Sequence, residues 1–81
     1  MENFYEAFDP ATTAYELGYT RRISPQRAPF NSHGQEVFFN GTHYITPDFD
    51  GHHVTNGWKK FDRRSNRLGT YSSDLKTRIG D

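Results

Sequence analysis

The chain has no cysteine among its 81 residues, which excludes a disulfide framework and a thiolate metal site. Such a chain suits a reducing cytosol and equally suits a polypeptide that crosses a membrane unfolded. No apolar run approaches the length of a bilayer span, and the first residues, MENFYEAF, are acidic and polar where a secretory signal is basic and then apolar. No membrane association is expected. Aliphatic residues are scarce too: Ile, Leu, Val and Phe together make less than one-fifth of the chain, a level at which disorder becomes a concern. The companion sign of disorder, a large net charge, is missing, because ten Lys and Arg balance ten Asp and Glu. What stands in for the aliphatics is aromatic: seven Phe, five Tyr and one Trp, each able to bury about 150 to 250 Å². The expectation is one domain over residues 1–81 with an aromatic-rich core. It lies near the lower size limit, since so small a chain buries only about 60% of its unfolded surface.

The neutral total hides an asymmetry. Residues 1–19 carry four acids and no Lys or Arg, which leaves ten bases against six acids, a net +4, for residues 20–81. Between residues 58 and 78 the count is seven bases against two acids. A basic half of this kind can bind nucleic acid or an acidic protein surface, or it can be an ordinary solvated face.

Local signals divide the chain in three. Residues 1–19 form an acidic helical segment: Asp9-Pro10 supplies an N-cap and a first helical position, Gly18 supplies the stop, and Phe4, Tyr5 and Phe8 sit at helical spacing in an earlier turn. Residues 20–35 hold prolines, Arg21, Arg22 and Arg27 with no regular period, and read as an extended linker. Residues 36–81 read as an antiparallel sheet. Asn40-Gly41 favours a two-residue hairpin turn, which would set Phe38 opposite His43 and Val37 opposite Tyr44. Strands are expected at 58–62, 67–71 and 75–79, with Gly69 marking a bulge or a close backbone approach. The fold class is α+β, short N-terminal helices packed on a four- to five-stranded antiparallel sheet.

Chemistry concentrates in residues 46–62, TPDFDGHHVTNGWKKFD, where carboxylates, imidazoles and ammonium groups crowd together. Asp48, Asp50, His52 and His53 have metal-like spacing. A calcium loop fails there, because Lys59 stands where the bidentate glutamate belongs; a Zn, Mg or Mn site would make a metal-dependent DNase, and a plain turn closed by Asp50-Gly51 is the simpler reading. RNA cleavage without metal needs a base for the 2′-hydroxyl, an acid for the leaving oxygen, and fixed positive charge at phosphorus. His33, His52 and Lys59 can fill those roles with no cofactor, because histidine changes charge near neutral pH and so serves as base or acid. The two imidazoles are then expected to share one cleft beside an ammonium group. Lys59 and Lys60 point to opposite faces of a strand, so only one joins the site. Arg22, Lys60, Arg64, Arg67 and Arg78 are candidate RNA-binding residues. Trp58 is expected in the core and His43 packed on Phe38, and a non-enzymatic binding module stays as a further alternative.

Four segments taken in order carry a family resemblance: SHGQEVF at 32–38, YITPDFDGH at 44–52, WKKFD at 58–62 and RLGTYSSDLKTRIGD at 67–81. Together they resemble the novel toxin twenty-one domain, a ribonuclease module at the C-terminal tips of bacterial polymorphic and contact-dependent growth inhibition proteins. The family usually has a glycine pair before its tryptophan, where this chain has Val54-Thr55-Asn56-Gly57. The resemblance implies catalytic roles for His33, Asp50, His52, Lys59 and Thr70, with tRNA as the RNA substrate. It implies a barnase- or colicin-ribonuclease-like fold, a cognate immunity protein, and a translation elongation factor as an accessory partner. It also implies a secreted or cell-surface effector that acts in the target-cell cytoplasm.

Overall fold

The computed structural model describes residues 9–50 and 53–81, and within 49–56 only the backbone. One helix, α1 (Pro10–Glu16), precedes six strands: β1 (Arg21–Ile23), β2 (Val37–Phe39), β3 (His43–Asp50), β4 (His53–Asp62), β5 (Arg67–Tyr71) and β6 (Arg78–Gly80). The strands form one antiparallel sheet in the order β1-β2-β3-β4-β5-β6, an up-and-down meander in which each strand pairs with its neighbour in sequence. Among the described residues no helix is long and apolar enough to cross a membrane.

The helix starts and stops where side-chain chemistry dictates. Asp9 accepts from the Ala11 amide at 3.2 Å and from the Thr12 hydroxyl at 2.7 Å, and Pro10 opens the first turn. At the far end Gly18 takes φ +96° and lets the Gly18 and Tyr19 amides bond back to the carbonyls of Tyr15 and Ala14, a Schellman closure. Seven residues make too short a helix to stand alone. Its stability comes from Ala14 and Tyr19, which are buried against Phe38, Ile45 and Trp58 on one face of the sheet, with Ala11, Leu17 and Leu75 packed around them. The expected earlier turn at residues 2–8 lies outside the described residues.

The opposite face has its own apolar cluster. Phe30 stacks on Phe61 with centroids 3.7 Å apart and meets Tyr44 edge-on at 5.7 Å, while Tyr44 stacks on Phe39 at 4.3 Å. The expected linker is thus a working element: it contributes β1, passes through a short 3-10 turn (Pro25–Arg27), and lays Phe30 over the sheet. β1 raises the strand count to six. It escapes sequence patterning because it spans three residues, two of them arginines, at a sheet edge where charge is common.

Two further expectations change. In the β2–β3 hairpin the loop is Gly41-Thr42, so Phe38 faces Ile45 and Phe39 faces Tyr44. The Asn40 side chain drives this shift. Its Oδ1 accepts from the Thr42 amide at 2.8 Å, the Thr42 hydroxyl at 3.0 Å and the His43 amide at 2.8 Å, which makes Asn40 the last strand-side residue in place of the first loop residue. His43 consequently lies opposite Asp62, with its ring nitrogen 2.9 Å from the Thr42 hydroxyl, and is not the cross-strand partner of Phe38. Likewise 48–50 is strand and no turn: β3 runs through Pro47 to Asp50, and the register slips between Pro47 and Phe49 because β4 carries extra residues before Trp58. A proline cannot donate to a ladder, and a bulge is where a sheet tolerates one.

Turn carboxylates hold the β4–β5 and β5–β6 connections and predict acid lability. Asp62 accepts from the Asn66 amide at 2.9 Å, the Asn66 side chain at 3.1 Å and the Arg64 amide at 2.9 Å, and the Asn66 bonds chiefly hold its carboxyl below the ordinary 3.8. The Ser72 hydroxyl does the same for Asp74, and the Thr12 hydroxyl for Asp9. A depressed folded value means that each carboxylate stabilises the fold above 3.8 and that this contribution is lost as the pH falls below 3.8 through the lower folded value. The urea midpoint is expected to drop as the pH falls below about 4, and less steeply for Asp62→Asn; an equal drop would discount this turn.

Candidate active site

Register places a row of side chains on the face opposite α1. Thr46 on β3 pairs with Lys59 on β4, and Lys59 pairs with Thr70 on β5, so one lysine stands between two threonines across the three central strands. Direct cross-strand partners share a face and lie about 5 Å apart. Both threonines are buried, whereas Lys59 is half-buried and its ammonium makes no ion pair or hydrogen bond to a described residue. A positive charge held this way by neighbours that are not acids is available to an anion.

Second contacts fix the row. The Thr46 hydroxyl donates to the Glu36 carbonyl at 2.8 Å, tying β3 to the segment that carries His33. Thr70 accepts from the Arg67 guanidinium at 2.9 Å, and Arg67 also reaches the Asp81 carbonyl at 2.6 Å. Arg67 can lie beside Thr70 because the β4–β5 register shifts after Lys60, so that Phe61 faces Arg67. Gly69 permits this bulge. Its φ is +136°, and a Cβ there would stand 2.5 Å from the Arg78 guanidinium and 2.7 Å from the Gly80 carbonyl. The arginine can swing away but the backbone of β6 cannot. Gly69→Ala is expected to cost about 1–3 kcal/mol, read as a lower urea midpoint; a wild-type midpoint would show that β6 yields freely.

The other expected site residues are distributed unevenly. His33 occupies an exposed turn with φ +55°, its amide bonded to the Asn31 side chain at 2.9 Å, and its imidazole makes no hydrogen bond to a described residue. Asp50 ends β3 opposite His53. His52 lies outside the described residues, and so does its expected meeting with His33. Lys60 is on the helix side of the sheet with its ammonium 4.9 Å from the Tyr71 ring centre, a cation–π contact, so Lys59 is the lysine that joins the row. Arg22 is engaged by Glu36, and Arg78 by Asp81 at 3.1 Å. Arg64 is exposed in the β4–β5 turn. Sequence reasoning missed Thr46, whose only signal is its position two residues before Asp48 on a strand that pattern alone reads as a turn.

A short helix on one face of a six-stranded meander, with Lys59 between two threonines on the other, defines a small α+β domain. The family model of novel toxin 21 matches residues 12–81, and the chain belongs to that family. The "16S rRNA endonuclease CdiA" of Enterobacter cloacae is 62% identical over 68 residues, which cover 84% of this chain and 2% of that protein. The chain thus spans a small fraction of that relative's length. Among solved structures, a chain of the "CdiA-CT/CdiI toxin and immunity complex from Enterobacter cloacae" matches with a TM-score of 0.72 at 58% identity, covering 89% of this chain and 93% of that one.

Proposed function

We propose that the chain is a ribonuclease toxin domain that cleaves RNA by metal-independent transesterification on the face bearing Lys59. The observation that carries this reading is Lys59, half-buried on the strand between Thr46 and Thr70, whose ammonium pairs with no described residue. In the reaction, a base takes the proton of a 2′-hydroxyl, the freed oxygen attacks phosphorus, and the bond to the 5′-oxygen breaks as an acid protonates it. The products are a 2′,3′-cyclic phosphate and a 5′-hydroxyl. Lys59 stabilises the charge that gathers on the phosphoryl oxygens, and the Thr70 hydroxyl, which accepts from Arg67 at 2.9 Å and points its proton to the Asp81 carbonyl at a long 3.4 Å, donates a further hydrogen bond by turning that proton to the phosphate. The family motif implies that His33, His52 and Asp50 take part; within that set we assign His33 as base and His52 as acid, with Asp50 orienting an imidazole.

The relative named for 16S rRNA favours ribosomal RNA over the tRNA that the motif resemblance implies. The complex named for a toxin and its immunity protein supports a cognate immunity partner. Action in the cytoplasm of a target cell follows, because that is where ribosomal RNA is met. Purified chain mixed with bacterial ribosomes in EDTA, with no elongation factor added, should release RNA fragments ending in 2′,3′-cyclic phosphate. Cleavage confined to tRNA would replace the substrate. Cleavage of DNA that EDTA abolishes would replace the mechanism with the metal-dependent alternative through Asp48, Asp50 and His52, and no cleavage of either would leave a binding module.

A further inference from the structure

The linker and the sheet enclose an open cleft of about 400 Å³ whose lining includes Arg21, Arg27, Pro29 and Tyr44 and no carboxylate. Arg22 contributes to its rim, but the Arg22 guanidinium is already held by Glu36. Arg21 and Arg27 differ: both are exposed, and neither makes an ion pair or hydrogen bond with a described residue. Two uncompensated guanidinium groups on one concave surface repel each other, an arrangement that a bound anion relieves. The planar fork of each matches the geometry of a phosphodiester.

Tyr44 gives the cleft a second kind of contact. Its ring is half-buried and fixed by two contacts, Phe39 stacked on it at 4.3 Å and Phe30 meeting it edge-on at 5.7 Å. A fixed aromatic beside free arginines is the combination that single-stranded nucleic acid uses, with a base on the ring and phosphates on the cations. Position agrees. Tyr44 and Thr46 are alternate residues of β3, so they share a face and stand about 7 Å apart along the strand, the order of one nucleotide step from the Lys59 row.

We infer that the Arg21–Arg27–Tyr44 cleft holds a single-stranded stretch of the RNA substrate next to the cleaved bond, phosphates on the two guanidinium groups and one base against Tyr44. This assignment rests on the ribonuclease reading and extends it to a subsite. The segment that crosses the sheet therefore binds substrate as well as covering the core. A single-stranded target also suits the family chemistry, since an unpaired 2′-hydroxyl can line up with the bond it attacks.

The test uses a fluorescent single-stranded RNA oligonucleotide and the full chain carrying Lys59→Met, so that binding is read without cleavage. Adding Arg21→Ala and Arg27→Ala should weaken binding about tenfold and lower the slope of log affinity against log salt by about 1.4, the release expected for two phosphate contacts on a single strand. Arg21→Lys with Arg27→Lys should keep the slope while losing part of the affinity. With Lys59 restored, the alanine pair should raise KM for RNA and leave kcat nearly unchanged. Thermal melts control for folding, and neither arginine is buried. Unchanged affinity and slope in a chain that still cleaves RNA would overturn the cleft alone. Binding that depends on these arginines in a wild-type chain that cleaves no RNA would overturn the ribonuclease reading and leave the cleft standing.

Discussion

Lys59→Met is expected to lower the rate of RNA cleavage by about 10²- to 10³-fold, the effect of removing one group that stabilises charge at the transition state. Methionine keeps most of the side chain's length and apolar stem, so the variant should melt no lower than the wild type. The magnitude follows from where the charge sits. Lys59 is half-buried, its strand neighbours at the same level are uncharged hydroxyls, and no carboxylate among the described residues neutralises it. Its interaction with a phosphoryl group is therefore less screened than that of an exposed lysine. Thr46 and Thr70 cannot replace it, since each offers one hydroxyl and Thr46 already donates its proton to the Glu36 carbonyl. Lys60→Met is the matched control. That ammonium lies on the helix side over Tyr71, so its loss should cost about 0.5–1 kcal/mol of stability and leave cleavage unchanged. Initial rates for both variants on the same ribosomal substrate decide the matter. Equal rates for Lys59→Met and wild type would remove the row from the mechanism.

The contrast between these two lysines was legible in the sequence, because a strand with Trp58 buried must send Lys59 to the other side from its neighbour. The helix was legible for a similar reason: Asp9, Pro10 and Gly18 each act within a few residues, and the structure uses all three where local rules put them. Signals that act over distance were not. β1 is a strand only because Val37–Phe39 lies beside it, and nothing in Arg21–Ile23 taken alone favours a sheet. The Asn40-Gly41 turn was recognised but misplaced by one residue, since the Asn40 side chain captured amides that a backbone carbonyl would otherwise serve. Pairing slipped by two residues, so each side chain kept its face and the aromatic cluster survived the error. The reading of 48–50 as a turn failed because Asp, Gly and Pro are turn residues by composition, while a ten-residue β4 overrode them. The candidate site divides along the same line. Lys59 was legible from the chemistry of its segment and Thr70 from the family resemblance, but the bond from Arg67 to Thr70 needs a bulge at Gly69 that only the paired strands reveal.

Trp58→Ala is expected to remove about 3–5 kcal/mol of stability, a large share of the total of about 4–12 kcal/mol for a chain this size. Trp58 is fully buried at the centre of the face that α1 covers, edge-on to Phe38 at 6.2 Å, with Ile45 and Ala14 in the same cluster. Its indole N–H donates to the Ser73 carbonyl at 3.0 Å, which ties the β5–β6 turn to the core. An alanine would open a cavity under the helix and leave that carbonyl without its donor, adding about 1 kcal/mol. The helix has little else to hold it. Seven residues cannot persist without a tertiary partner, and only Ala14 on α1 is completely buried. Trp58→Phe separates the two contributions, since it keeps most of the apolar surface and loses the N–H; it should cost about 1–3 kcal/mol. Phe61→Ala probes the opposite cluster, where Phe30 can partly close over the gap, and should cost less than Trp58→Ala. Urea unfolding followed by far-ultraviolet circular dichroism measures all three. A Trp58→Ala midpoint at or above that of Phe61→Ala would mean that the sheet is stabilised mainly from the linker side, with the helix a peripheral addition.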